Sequence, residues 1–89
     1  MSKLNIAFSH TAFEDYKNWQ VQDKKIWKKI NVLIKSIERD GVLDGIGKPE
    51  RLKGQFSGWY SRRITQEHRL VYKATSESIF VASCKYHYE

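Results

Sequence analysis

Leu4, Ile6 and Phe8 alternate with Lys3, Asn5 and Ala7 at the start of the chain. A period of two predicts a short strand. The period then changes. Thr11-Ala12-Phe13-Glu14 has the form of a capping box, with Thr11 accepting from the first turn and Glu14 reaching back. Phe13, Tyr16 and Trp19 or Gln20 follow at helical spacing, which predicts a helix over residues 11–22, with His10 in the loop before it. Asp23 is placed to cap a second helix over residues 24–39. Ile26, Ile30, Leu33, Ile34 and Ile37 form one apolar stripe along that helix, and Lys24, Lys25, Lys28, Lys29 and Lys35 fall mostly outside it. The short connection predicts an antiparallel helix pair.

Gly41 ends the second helix. Residues 40–58 carry Gly41, Gly45, Gly47, Pro49, Gly54 and Gly58 and read as irregular. A loop of this length in a compact domain is usually functional or disordered. Leu52 and Phe56 can anchor it, which favours an ordered loop. Three strands follow, over about residues 58–65, 68–75 and 78–88, with Ser76-Glu77 as the last turn. In the last strand Phe80, Ala82, Cys84 and Tyr86 share one face, and Ile79, Val81, Ser83, Lys85 and His87 share the other. Apolar residues on both faces of its first half predict a central strand, and Lys85 and His87 predict that it ends at an open site. Consecutive hairpins make the three strands antiparallel. The expected fold class is therefore α+β in one domain spanning residues 1–89. A short N-terminal strand and two antiparallel helices precede a three-stranded meander, with the helices on one face and the other left for a ligand.

Charge sharpens this picture. The 89 residues include 16 Lys and Arg against 10 Asp and Glu, a net charge of +6. An excess of this size on a small domain favours anionic partners. Scattered lysines serve solubility equally well, but clustered arginines do not need to be explained that way. Ser61-Arg62-Arg63-Ile64-Thr65-Gln66-Glu67-His68-Arg69-Leu70-Val71-Tyr72 concentrates three arginines and a histidine in one hairpin. The planar guanidinium fork suits phosphate, so the hairpin reads as a phosphate-binding platform. The single cysteine, Cys84, excludes an internal disulfide and a Cys-rich zinc site and reads as a small buried hydrophobe. No signal peptide or membrane-length apolar run is visible, so a cytoplasmic protein without membrane attachment is expected.

Glu50, Arg69 and His87 are the residues whose convergence would matter most. Together they would suit cleavage of RNA by its own 2′-hydroxyl. That reaction needs a base for the 2′ proton, an acid for the departing 5′ oxygen, and cationic donors for the charge on phosphorus. The strand register needed to bring them together cannot be read from sequence. Glu50 also fits an ordinary surface carboxylate among Lys48, Arg51 and Lys53, and His87 a terminal histidine between two tyrosines. His68 rivals His87 as the acid, but alternation turns it to the opposite face from Arg69. His, Asp and Glu show no metal-ligand spacing, and the glycines match neither phosphate-loop nor dinucleotide fingerprints. No metal or cofactor is expected.

Phe13-Glu14-Asp15-Tyr16 with Trp19, Lys28-Lys29-Ile30-Asn31, Gly45-Ile46-Gly47-Lys48-Pro49-Glu50 and Gly58-Trp59-Tyr60 carry a resemblance over nearly the whole chain. Ser61-Arg62-Arg63-Ile64, Glu67-His68-Arg69-Leu70-Val71-Tyr72 and the ending Cys84-Lys85-Tyr86-His87-Tyr88 are its most specific parts. The chain resembles the YoeB-like toxins of bacterial toxin–antitoxin modules, in the RelE/ParE superfamily with its microbial-RNase-like fold. The resemblance implies a ribosome-dependent endoribonuclease that cuts mRNA in the ribosomal A site and arrests translation. It also implies a homodimer and neutralisation by a cognate YefM-like antitoxin. Carried over residue by residue, Glu50 is the general base, His87 the general acid and Arg69 the transition-state stabiliser. Lys53 and Arg63 hold phosphate or base, and Tyr88 positions the RNA. Two other readings compete: a basic module that holds RNA or the ribosome without cutting, and a gyrase-directed toxin of the ParE branch. The gyrase-directed branch lacks the Glu50, Arg69 and His87 set.

Overall fold

Among the described residues the order is β1 (Asn5–Phe8), α1 (His10–Gln22), α2 (Lys24–Asp40), β2 (Glu50–Arg51), β3 (Tyr60–Arg63), β4 (Arg69–Ala74) and β5 (Ser78–Ser83) in the computed structural model, which describes residues 4–86. The strands form one sheet in the order β1-β5-β4-β3-β2. β1 runs parallel to β5 and every other pair is antiparallel. The fold is α+β, as expected, but the meander is the centre of a five-stranded mixed sheet. The stretch expected to be irregular supplies β2 and a single 3-10 turn, Gly54–Phe56.

Ser9, and not Thr11, caps α1. Its Oγ accepts from the Ala12 N–H at 3.0 Å and donates to the Ala82 carbonyl at 2.8 Å, so one hydroxyl starts the helix and ties it to β5. His10 is therefore the first helical residue, and Glu14 pairs with Lys17 at 3.0 Å instead of closing a capping box. Ala12, Tyr16 and Trp19 form the inward line of α1, while Phe13 is 46% exposed. Asp23 caps α2 by accepting from the Lys25 and Ile26 N–H groups. The expected stripe Ile26, Ile30, Leu33, Ile34 and Ile37 is buried throughout. Each such side chain contributes about 1.5–3 kcal/mol by leaving water. The Tyr16 hydroxyl donates to Asn31 Oδ1 at 2.7 Å and its ring meets Trp27, which fits antiparallel helices hinged at Asp23.

Both helices cover the face of the sheet that carries Leu70, Tyr72, Ile79 and Val81. β5 ends at Ser83, short of the expected residue 88, and the alternation ends with it. Cys84 turns into the core beside Ile79 and Val81 and is fully buried, while Phe80 and Ala82 stay half-buried. The strand is thus wholly buried on one face only.

Arg62 corrects the reading of the hairpin as a phosphate platform. Strand alternation turns it towards the helices, where it is fully buried. Its Nε donates to the Tyr72 hydroxyl at 2.8 Å. Nη1 donates to Ser36 Oγ and the Ile46 carbonyl, and Nη2 to the carbonyls of Gly41 and Asp44, all between 2.6 and 2.9 Å. Ser36 in turn donates to Asp40 Oδ2 at 3.0 Å, which brings a carboxylate within one hydroxyl of the buried charge. The 41–47 loop is wound around this guanidinium. Gly45, at φ +103°, is the close approach: a β-carbon there would collide with Ser36 Oγ and Asp40.

Arg62→Lys keeps the charge but cannot reach all five acceptors. It is expected to lower stability by about 3 kcal/mol, since breaking a buried charged network typically costs that much. Urea unfolding measures this, and a loss under about 1 kcal/mol would contradict the assignment. Burial, with Asp15 adding to it, pushes the Cys84 thiol up to about 12. Thiol alkylation of the folded protein at pH 8 is therefore expected to leave Cys84 unmodified until denaturant is added; rapid labelling of native protein would place the thiol outside the core.

Candidate functional site

The second face of the sheet lies opposite the helices. The register sets Glu50 of β2 opposite Ser61, and Arg63 opposite Arg69. Directly paired residues project on the same face, and so do residues two apart on one strand. Glu50, Arg63 and Arg69 therefore share the second face. Arg51, paired with Tyr60, turns to the helix side, where its guanidinium lies 5.9 Å from the Tyr60 ring centroid. Diagonal neighbours across such a pair lie roughly 7–8 Å apart, which puts the Glu50 backbone one such step from Arg63, with Arg69 one strand further on.

Two clamps hold this row. The Arg63 N–H donates to the Gly47 carbonyl at 2.7 Å, so the Arg62-centred loop also fixes the strand entry to Glu50. The Leu52 N–H donates to the Trp59 carbonyl at 3.0 Å, which closes the other end of β2. Leu52 and Val71 are each 3% exposed yet lie outside the main core cluster. The second face thus has its own buried support beneath the charged residues.

Charge on this face is left uncompensated. Glu50, Lys53 and Arg63 are exposed, and none forms an ion pair among the described residues. Arg69 is half-buried. Its Nη1 donates to the carbonyls of Thr65, Gln66 and His68 at 2.9, 3.0 and 3.3 Å, so the hairpin turn holds the guanidinium by one nitrogen. Its Nε and Nη2 have no protein partner among the described residues, which leaves an oriented pair of donors for a phosphate. An open depression of about 460 Å³ is lined by Glu50, Arg51, Leu52 and Lys53. One free carboxylate among several cations can accept a proton, while the guanidinium donors receive a phosphoryl oxygen.

The sequence-predicted residues thus divide. Glu50, Arg63 and Arg69 come together on one face, with Lys53 just past the end of β2. His87 and Tyr88 lie outside the described residues. His68, the rival acid, is only 7% exposed, and its Nδ1 accepts from the Tyr86 N–H at 2.8 Å. It is committed to the protein interior. Lys24, Lys25, Lys28 and Lys35 of α2 are exposed, on the helical side of the molecule. Among the described residues no three His, Cys, Asp or Glu side chains gather as a metal site. No helix there is long and apolar enough to cross a membrane.

The chain is similar to proteins of known family over nearly its whole length. Residues 8–88 match the family described as YoeB-like toxin of bacterial type II toxin-antitoxin system. A toxin YoeB of Escherichia coli strain K12 is 51% identical over 85 residues, covering 96% of this chain and all of that protein. The solved YoeB dimer of Staphylococcus aureus superposes with a TM-score of 0.93 at 62% identity, over 98% of this chain and all of the other. The heterotetrameric YoeB–YefM complex of the same organism gives 0.91 at 62% identity over the same shares. The family match over residues 8–88 and the identities over nearly the full length show the family: this chain belongs to the YoeB-like toxins of bacterial type II toxin–antitoxin systems.

Proposed function

We propose that the chain is an endoribonuclease that cuts mRNA in the A site of the ribosome and thereby stops translation. The observation that carries this reading is the Glu50 carboxylate, which forms no ion pair among the described residues, on one sheet face with Arg63 and Arg69. A carboxylate that its neighbouring cations leave open can serve as a base. Glu50 takes the proton from the 2′-hydroxyl, and the freed oxygen attacks the adjacent phosphorus. Arg69, held from behind by the hairpin carbonyls, receives the growing charge with its two free donors. Lys53 and Arg63 hold the flanking phosphates. His87 gives a proton to the departing 5′ oxygen, and Tyr88 positions the RNA. The bond from phosphorus to the 5′ oxygen breaks as that to the 2′ oxygen forms, leaving a 2′,3′-cyclic phosphate and a 5′-hydroxyl. The substrate supplies its own nucleophile, so these groups complete the chemistry.

The relatives extend this reading to partners. A YefM-like antitoxin neutralises the toxin in the cytoplasm, and the active chain forms a homodimer; Staphylococcus aureus YoeB, a relative, has been solved as a dimer and in a heterotetrameric complex with YefM. Net charge +6 suits a ribosomal RNA surface, since phosphate contacts dominate the affinity of such complexes.

Primer extension on a defined mRNA in a reconstituted translation system tests the reading. Wild type is expected to cut in the A site. Glu50→Ala and His87→Ala are each expected to lower cleavage by about 10²–10⁴-fold, the usual worth of a general base or acid, with little change in folding. Arg69→Ala is expected to cost about 10²–10³-fold, as for loss of a transition-state donor. Translation arrest with intact mRNA would indicate a binder that blocks the ribosome, and no effect on translation would indicate a gyrase-directed toxin. The nucleophile has its own check. An mRNA with a single 2′-deoxynucleotide 5′ of the cut is expected to resist cleavage at that position; continued cutting there would mean that water attacks instead.

A further inference from the structure

The chain beyond β5 is clasped at three points. Trp19 Nε1 donates to the Cys84 carbonyl at 3.0 Å. The Tyr86 N–H donates to His68 Nδ1 at 2.8 Å, and the Tyr86 carbonyl accepts from the Arg69 N–H at 3.1 Å. His68 is itself fixed on all sides. Its N–H donates to Thr65 Oγ1 at 3.0 Å, its carbonyl accepts from the Ile64 and Thr65 N–H groups, and its ring stands edge-on to Trp19 at 4.9 Å. Tyr86 has φ +62°, a left-handed conformation in a non-glycine residue. Such backbone costs of order 1–3 kcal/mol and persists only where its surroundings enforce it. Its side chain is 56% exposed, and its ring meets that of His68 at a tilt, with centroids 5.5 Å apart. Hydrogen bonds to its main chain at both N–H and carbonyl fix this conformation, and among the described residues the side chain that bonds to the Tyr86 main chain is His68. The next residue in the chain is His87.

We propose that His68 is a positioning residue for the reaction: by accepting the Tyr86 N–H it fixes the backbone of the residue that precedes His87. This rests on His87 being the general acid. Accepting at Nδ1 places the ring proton on Nε2, 3.8 Å from Glu67 Oε1. The ring serves this contact as an acceptor. A buried histidine that only fills space would not need a nitrogen at this position.

Three variants separate the roles. His68→Asn puts an amide oxygen where Nδ1 stands, His68→Leu fills the space without an acceptor, and His68→Gln moves its polar atoms towards the Nε2 position. Hydrogen exchange of the Tyr86 amide reads the clasp without any reference to activity. Protection is expected in wild type and His68→Asn, with loss of protection in His68→Leu and His68→Gln. Cleavage of ribosome-bound mRNA is then measured with an ordinary 5′-oxygen leaving group and with a bridging 5′-sulfur, which leaves without an acid. His68→Leu is expected to cut the oxygen substrate about 10²-fold more slowly at unchanged half-saturation, the effect of misplacing a reacting group by about 1 Å. It is expected to cut the sulfur substrate at close to the wild-type rate, and His68→Asn to be restored on both. An unprotected Tyr86 amide in wild type, undiminished oxygen cleavage by His68→Leu, or equal losses on both substrates would overturn the proposal. Should His68→Leu fail to fold, His68→Gln against His68→Asn gives the same comparison. Full oxygen cleavage by His87→Ala would overturn the acid assignment and the positioning role with it, while the Tyr86 amide would still report on the clasp alone.

Discussion

A single buried guanidinium holds this fold in register. Arg62 reaches from the sheet into the turn that follows α2 and satisfies three main-chain carbonyls there, together with the hydroxyls of Ser36 and Tyr72. An irregular loop next to a core is costly, because its carbonyls have no regular partners. Five donors on one plane meet that demand in a way that lysine cannot. Tyr72 completes the arrangement by donating to the Val42 carbonyl at 2.6 Å. The loop so fixed passes Gly47 to Arg63 and then enters β2 with Glu50. The position of the candidate base is thus a consequence of packing on the far side of the sheet.

The two faces of the sheet follow opposite rules. On the helix side, polar groups are matched closely: Arg62, Ser36 and Tyr72 are buried and hydrogen-bonded to one another. On the other side Glu50, Lys53 and Arg63 are exposed without ion pairs among the described residues. Unpaired surface charges cost little, since water solvates them and surface ion pairs are worth only about 0–1 kcal/mol. A protein can therefore keep a reactive carboxylate and several phosphate-binding cations ready on a surface with almost no loss of stability. Arg69 stands between the two regimes. One nitrogen is committed to the turn carbonyls and the other two have no partner among the described residues, so its direction is set by the hairpin turn.

Helical periodicity made α2 readable, since its apolar stripe, its Asp23 cap and its Gly41 stop all act locally. The α1 start offers two hydroxyls, Ser9 before the helix and Thr11 within its first turn, and the local pattern favours the wrong one. Ser9 prevails over Thr11 through a contact to Ala82, 73 residues away, which no local pattern contains. β2 was missed for a similar reason: two residues carry no periodicity, and only pairing with β3 makes them a strand. Among the site residues, Glu50, Arg63 and Arg69 were legible as residue types, and their shared face came only from the register. Arg62 was legible in principle. It shares strand parity with Ile64 and pairs with Leu70, both buried, so alternation alone assigns it to the core. Three arginines in one hairpin looked like one chemical group, whereas the pleat separates them into one structural residue and two facing outwards.

That separation also explains how so small a chain could carry the proposed site. Eighty-nine residues cannot enclose a deep cleft, since a chain of this size buries only about 60–68% of its surface. A site on such a molecule has to be laid out on a sheet face, and its precision must come from the backbone. Here the backbone is pinned from behind at each end: by Arg62 on the loop that leads to Glu50, and by His68 on the segment that leads to His87. Both side chains are spent on main-chain groups and not on ligand. RNA held at the ribosome would supply the walls that this domain lacks, and the protein then needs only a rigid face with its charges in place.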